Sequence, residues 1–585
     1  MRSIRLLLVT VLAFALVVVT ALVSATLLTI GTPAHAQVPA ASATTPAAAA
    51  PSPPAAASGT PVAPRLFDGY GNYHRTISTV SPEAQRWFDQ GIQLLYGFNH
   101  DEAIRSFRHA AEIDPNCLMA WWGIAYANGH HINNPEMTEE QTRNACAATA
   151  EAQKRIDLGT PAEQALVRAV AKRYVEPPPA DRKPLDVAYA DAMGEAWRAF
   201  PDDPDIGALY AESLMDLQPW DLWTHDGEPK GRTLEIVAVL EAVLARTPRH
   251  PGANHFYIHA VEASPAPEKG LASADRFVDL VPGAGHLVHM PSHIYIRTGR
   301  YADAADANVR AIDADTAYFA VAPPPRFYNI YYLHNLHFLA YASMMEGRSE
   351  AALEAARRIE KEIPSDFLEE NVKLADAFMP TTLHVLIRFG KWEAILEEPE
   401  PESYRLLSRA MRHYARGIAL ANLHRTDEAR AELAAFNALA DRMDETWLVG
   451  NNPVPTVLPL ARSMFEGELA FHEGRHEDAF AALRRGVAAE DLLVYDEPPG
   501  WMQPVRHALG ALLIADGQFA EAESVYREDL RRHPNNGWSV VGLQQALRGQ
   551  DKVAEAEALD SALATAFPRA DVAPKASCYC QPGAR

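Results

Sequence analysis

Residues 84–117 read AQRWFDQGIQLLYGFNHDEAIRSFRHAAEIDPNC. The small residues Gly91, Ala103 and Ala110 let two antiparallel helices approach closely, and Trp87 and Phe107 are the large residues between them. Pro115 ends the second helix, because it lacks the N–H that another turn would need. Residues 503–536, QPVRHALGALLIADGQFAEAESVYREDLRRHPNN, repeat the construction with Gly510, Gly517, Phe519, Ala522, Tyr526 and Pro534 in register. Looser copies lie between, around Gly299, Gly347, Gly390, Gly417 and Gly474.

These spacings resemble those of tetratricopeptide repeat (TPR) proteins, over roughly residues 82–565. The first and last copies carry the resemblance; the middle ones are loose and hold insertions. The longest insertion surrounds Gln218-Pro219-Trp220-Asp221-Leu222-Trp223. The resemblance implies an all-α chain, a right-handed α-α superhelix of the TPR-like solenoid kind, in which each helix pair buries its apolar face against its neighbours. It further implies a concave face lined by the first helices of the pairs, where a protein or peptide partner would sit.

Composition agrees with a folded helical body. The chain has 585 residues, 48% of them hydrophobic, a length that a repeat array can reach as one body. Its net charge of -22 speaks against a nucleic-acid surface. Arg2 and Arg5 precede an apolar run from Leu6 to Ile30 and the small-residue site Ala34-His35-Ala36, which is the form of an export signal. The run is also long enough to span a bilayer if it is not cleaved, so a retained anchor stays open, and membrane contact is expected only there. Either way the body is expected outside the cytoplasm, periplasmic or secreted. The expected division is a signal peptide or anchor over 1–36, an Ala/Pro-rich linker over 37–65, the repeat solenoid over 66–570 and a tail with a C-x-C over 571–585. Of the four cysteines, Cys117 and Cys146 could pair across neighbouring helices, and Cys578 and Cys580 form the C-x-C.

The histidines carry the functional signal. His255 and His289 are 34 residues apart, as are His259 and His293, and as are Pro248 and Pro282. Thirty-four residues is one TPR repeat. Each pair is spaced i, i+4, so both of its rings lie on one helix face, and the two pairs occupy equivalent places on successive first helices. Counting back from the loop glycines Gly299, Gly347 and Gly390 adds His286, His334, His337 and His384 to the same concave surface. Glu262, three residues after His259, extends it.

Clustered imidazoles suit a borderline transition metal such as zinc, copper, iron or nickel. His255, His259 and Glu262 offer two nitrogens and a carboxylate from one helix, and His289 and His293 could complete or double the site. Phe256 follows His255, so the H-E-x-x-H peptidase motif is absent, as are a P-loop, a dinucleotide fingerprint and G-x-S-x-G. Two functional readings follow, with silent structural histidines as a third. One is an exported binding or scaffold protein whose histidine-lined groove takes a protein segment or ligand, with or without a metal. The other is a metalloenzyme on the same scaffold. Weaker candidates are His130, Tyr328 and Tyr331 as groove residues, and Trp220, Asp221, Trp223, His225 and Asp226 as a lid over it or a packed loop.

Overall fold

The computed structural model describes residues 63–322 and 327–584. The expected signal or anchor segment, and the linker up to residue 62, lie outside the described residues. The described chain is an all-α helical-repeat solenoid, and its only strands are the antiparallel pair Leu448–Val449 and Asn452–Pro453. No described helix is long and apolar enough to cross a membrane.

The first repeat shows how sequence becomes structure. The Pro82–Tyr96 helix starts where the Ser81 side chain accepts the Ala84 N–H, with proline in its first turn. The His100–Ile113 helix starts where Asn99 accepts the Glu102 N–H. Phe107 then packs into a slot made by glycines. A Cβ placed on Gly91 would stand 2.5 Å from its ring, and one on Gly123, in the next helix, 2.7 Å. The last repeat is built alike: a Cβ on Gly510 or Gly542 would stand 2.4 or 2.2 Å from the Tyr526 ring. Gly123→Ala is therefore expected to cost about 1–3 kcal/mol by overpacking. A urea midpoint unchanged from the parent would show that these helices have room to separate.

The array closes on itself. Gly299, Gly347 and Gly390 end first helices in the left-handed conformation, at φ of 75°, 72° and 61°. The C-terminal section lies against these same turns. Carbonyl oxygens of Pro534 and Val572 stand 2.4 and 3.1 Å from the Cβ positions of Gly299 and Gly347, and the Tyr579 Cβ stands 2.9 Å from that of Gly390. Trp538 Nε1 donates to the Met344 carbonyl at 2.9 Å, and Arg388 Nη1 to that of Ser577 at 2.9 Å. Asp571 accepts the backbone N–H groups of Ser349 and Glu350, at 2.7 and 2.9 Å, and so caps the Ser349–Glu362 helix. The 571–585 segment is thus docked along its described length, with Ala576, Ser577 and Cys580 fully buried.

At the other end, Asp205 ties the first repeat to the middle. It accepts from Tyr73, Arg75 and Tyr96, and His250 Nε2 lies 3.2 Å from it. The Gly283 N–H donates to the Gly69 carbonyl at 2.8 Å.

Cys578 and Cys580 form a disulfide. The Cys117–Cys146 bridge that the sequence allowed is not formed, and both are free thiols. Cys117 is enclosed in the core, where burial pushes its thiol up to about 11, while Cys146 is only partly covered on the Glu139–Lys154 helix.

Candidate metal centre

The repeated histidine pairs come from two neighbouring helical stretches. His255 and His259 lie on the Pro251–Val261 helix, with Glu262 at its C-cap still in helical conformation. His286 and His289 lie on Gly285–His289 and His293 on Pro291–Arg297. Pro291 breaks the hydrogen-bond ladder there, yet Met290 stays helical at φ -50° and ψ -35°. The i, i+4 spacing therefore survives the break, and His289 and His293 still face the same way. His334 comes from the Asn329–Met345 helix.

Two three-histidine groups result, His255/His259/His286 and His289/His293/His334. Within each group one ring nitrogen of every member lies within 4.8 Å of the others. In the first, His255 Nε2 stands 3.1 Å from His259 Nε2 and 3.2 Å from His286 Nε2. In the second, His289 Nε2 stands 2.7 Å from His293 Nε2, and the His334 ring centroid is 4.6 Å from that of His289. The groups adjoin: the His259 and His293 centroids are 5.5 Å apart.

The opposite edges of the rings fix their tautomers. His255 Nδ1 lies 2.7 Å from the Tyr96 carbonyl, which can only accept, so this nitrogen carries the proton. Asn308 donates its amide to the Ala304 carbonyl, which turns its oxygen toward His289 Nδ1 at 2.7 Å. Glu262 accepts from His259 Nδ1 at 3.0 Å and from His293 Nδ1 at 2.7 Å, one carboxylate holding a ring of each group. Four imidazoles are thereby set with Nδ1 protonated and the Nε2 lone pair aimed inward. A carboxylate, amide or carbonyl behind the ring is how proteins orient metal-binding histidines.

Burial opposes an extra proton on most of these rings. His255, His289 and His293 are at most 2% exposed, His259 is 4% and His286 is 1%. Burial holds His255, His286, His289 and His334 well below the ordinary imidazole range, and their neighbouring imidazoles push the same way. His293 is also lowered by burial, although Glu262 opposes this. Burial would raise the Glu262 carboxyl, but the two histidine donors outweigh it and hold it below its usual range. Neutral lone pairs converging at 2.7–3.2 Å repel unless a cation lies among them. Two nitrogens about 2.0–2.1 Å from one tetrahedral ion stand about 3.3 Å apart, close to these separations.

The remaining sequence candidates fall outside the two groups. His337 packs against Phe378 and His384 against Trp501, with centroids 5.4 and 5.1 Å apart. His130 turns away, 3.6 Å from Asp186 and 3.7 Å from Asp216. Tyr331 packs on His286 at 4.5 Å, and Tyr328 donates instead to Asp315. The insertion is a packed loop with one flank on the site: the Trp220 ring stands edge-on to His259 at 5.1 Å, and its indole donates to the Ile132 carbonyl.

Sequence reasoning missed Glu497, Asn308, the Tyr96 carbonyl and Phe98. Phe98 stacks on His131 at 4.1 Å and packs at a tilt against His255 at 4.6 Å. Glu497 Oε2 lies 3.2 Å from His293 Nδ1. No spacing links these residues to the histidines: Glu497, Phe98 and the Tyr96 carbonyl arrive from distant parts of the chain, and Asn308 from the helix that follows His293.

Glu262→Gln tests the bridging role. A glutamine oxygen can accept from one ring while its amide faces the other as a donor, which forces one tautomer to change. Metal affinity is expected to fall about 10–100-fold, read by competition with a chromophoric chelator, with helicity unchanged by circular dichroism. An unaltered affinity would remove Glu262 from the site.

No family model and no curated protein matches this chain. Among solved structures it is similar to the human IFIT1 dimer with m7Gppp-AAAA, at 11% identity over 83% of this chain and 91% of that one, with a TM-score of 0.30. It is also similar to the APC/C hetero-tetramer Cut9-Hcn1, at 13% identity over 82% of this chain and 79% of that one, with a TM-score of 0.31. Likenesses at this level bear on neither partner nor activity.

Proposed function

We propose that this helical-repeat protein is a metalloprotein that holds two transition-metal ions side by side, one in each three-histidine group. The observation that carries the reading is the convergence of four Nε2 lone pairs, those of His255, His259, His289 and His293, whose Nδ1 edges are committed to acceptors. Six imidazoles without a thiolate suit zinc, copper or iron. Three protein nitrogens per ion leave a coordination position for water or substrate, the form of a catalytic rather than a structural site. That favours the metalloenzyme reading over a groove in which a protein segment touches the histidines, because five of the six rings are covered. Glu262 would orient one ligand of each ion, and both ions would lie on a single hydrogen-bonded unit.

Elemental analysis is the test. The protein is purified without a histidine tag and reconstituted in turn with zinc, copper and iron. About two equivalents of one metal are expected, and loss of both in a folded His259→Ala/His293→Ala variant. No retained metal under any condition would sink the proposal.

Export belongs to the same proposal. It is supported by the sequence of residues 1–36 and by the Cys578–Cys580 disulfide, which suits an oxidising compartment. N-terminal sequencing of the mature protein is expected to begin at Gln37; a chain beginning at Met1 in a membrane fraction would mean that the segment is kept as an anchor.

A further inference from the structure

Beside the histidines lies a cavity of about 740 Å³ between the 218–230 insertion, the end of the Pro291–Arg297 helix and the 490–506 segment. Its size falls within the roughly 300–1,000 Å³ of small-molecule sites. Glu497 belongs to both features, lining the cavity and reaching His293.

The wall is apolar where it is aromatic. Trp220, Trp223 and Trp501 line it, and all three indole N–H groups are already committed, to Ile132 O, Ala260 O and Met464 Sδ. These rings therefore offer a ligand carbon surface and no donor.

The polar part of the wall is not self-satisfied. Arg297 spends Nε on the Glu262 carbonyl and Nη2 on that of Ser264. Among the described residues it forms no ion pair. Its guanidinium lies 5.6 Å from the Tyr495 ring centroid, and the buried Tyr495 hydroxyl has no hydrogen-bond partner. The other cations of the lining are engaged: Lys230 with Asp221, Arg506 with Asp491, Arg531 and Arg532 with Glu528. So are its inner carboxylates. Asp496 accepts from Asn451 N and Glu497 N, and Glu490 from Val505 N. The Glu497 carboxyl is buried and turned toward His293, with Oε2 3.2 Å from its Nδ1. Asp226 and Glu268 are exposed.

We infer that this cavity binds a small aromatic carboxylate, its ring system against the three indoles and its carboxylate on Arg297 Nη1 and the Tyr495 hydroxyl. The apolar wall selects a flat hydrocarbon body, and the uncommitted Arg297 Nη1, with the unpartnered Tyr495 hydroxyl on the same wall, selects an anionic acceptor group. Such a ligand would lie against Glu497 and so abut the metal centre. The site goes beyond the metal reading and does not depend on it, so binding is measured in chelator-treated protein.

The probe is naphthalene carboxylate, followed by calorimetry and by quenching of tryptophan fluorescence, with naphthalene carboxamide as its neutral counterpart. A charge-assisted pair is expected to make the carboxylate bind at least about ten-fold more tightly than the amide. Arg297→Gln should reduce carboxylate binding to the level of the amide, while amide binding is unchanged and reports an intact fold. Tyr495→Phe should reduce the preference in part. Equal affinity for the two probes, absence of carboxylate binding, or a preference that survives Arg297→Gln would overturn the inference. So would binding of an uncharged oligosaccharide such as maltohexaose in place of the carboxylate. Metal content is read separately, so either proposal can fail while the other stands.

Discussion

Addition of the cognate metal to chelator-treated protein is expected to raise its unfolding temperature by about 10 °C. A ligand bound only by the folded state stabilises by RT ln(1 + [L]/Kd), about 4 kcal/mol when free metal is a thousand-fold above Kd. Two ions give about twice that, spread over a chain whose large unfolding entropy keeps the shift per kcal/mol small. Single variants divide the effect. His286 has no hydrogen-bond partner on Nδ1, so its replacement breaks no hydrogen bond there, and its packing loss is the same with and without metal. His286→Ala should lose one equivalent of metal and about half the stabilisation, and His334→Ala the other half, by additivity of separate sites. A purely structural role makes a different forecast: the variants lose stability through packing alone, and added metal shifts parent and variant equally. Scanning calorimetry with and without metal separates the two. No shift with zinc, copper or iron would leave the converging lone pairs without a cation.

Much of this centre was legible because a helix fixes direction. The i, i+4 spacing puts His255 with His259 and His289 with His293 on single faces, and the 34-residue interval puts the pairs on adjacent helices. The structure brings them together, with Glu262 between them. Register alone could not rank the other histidines. It gives an angular place on each helix and not the distance along the array. Neighbouring helix axes are about 8–10 Å apart, so a ring two helix pairs away shares the surface without sharing an ion. His384 is that case, packed on Trp501, whereas His337 shares the helix of His334 and lies three residues further along it, packed on Phe378.

What hides the centre was not legible. The first and last repeats were readable because Phe107 and Tyr526 each need two glycines to close around them. The closure of the array depends on long-range contacts with no periodic signature. Gly299, Gly347 and Gly390 look in the sequence like ordinary helix stops. In the structure they are also the docking points of the C-terminal section, where a side chain would collide with Pro534, Val572 or Tyr579. The same tertiary contacts deliver Glu497 to His293. A solenoid predicts an open concave face, and the coverage of this one is a property of the whole chain.

Bound metal should keep this protein folded to a lower pH. Four histidines outside the metal groups are held down chiefly by burial, His100 and His337 to about 3, His384 and His533 to about 4, against an ordinary value of 6.5. Their folded values lie below their unfolded ones, so the unfolded chain takes up the extra protons. The stability they contribute is complete above pH 6.5 and is lost as pH falls toward their folded values. Each loses about 1 kcal/mol over the first unit below 6.5, and more over the next. Buried carboxyls oppose them: Asp315, Glu468 and Asp496 are pushed up to about 7 and Glu490 to about 8, chiefly by burial, so they keep protons in the fold that the unfolded chain has released and add stability as pH falls through the same range. Neither set depends on metal. The buried histidines of the two groups are lowered as those four are and add to the loss in stripped protein, whereas bound metal keeps their Nε2 lone pairs occupied. Circular dichroism against pH should therefore show the stripped protein unfolding about half a unit or more above the loaded one. Coincident curves would deny the groups a metal.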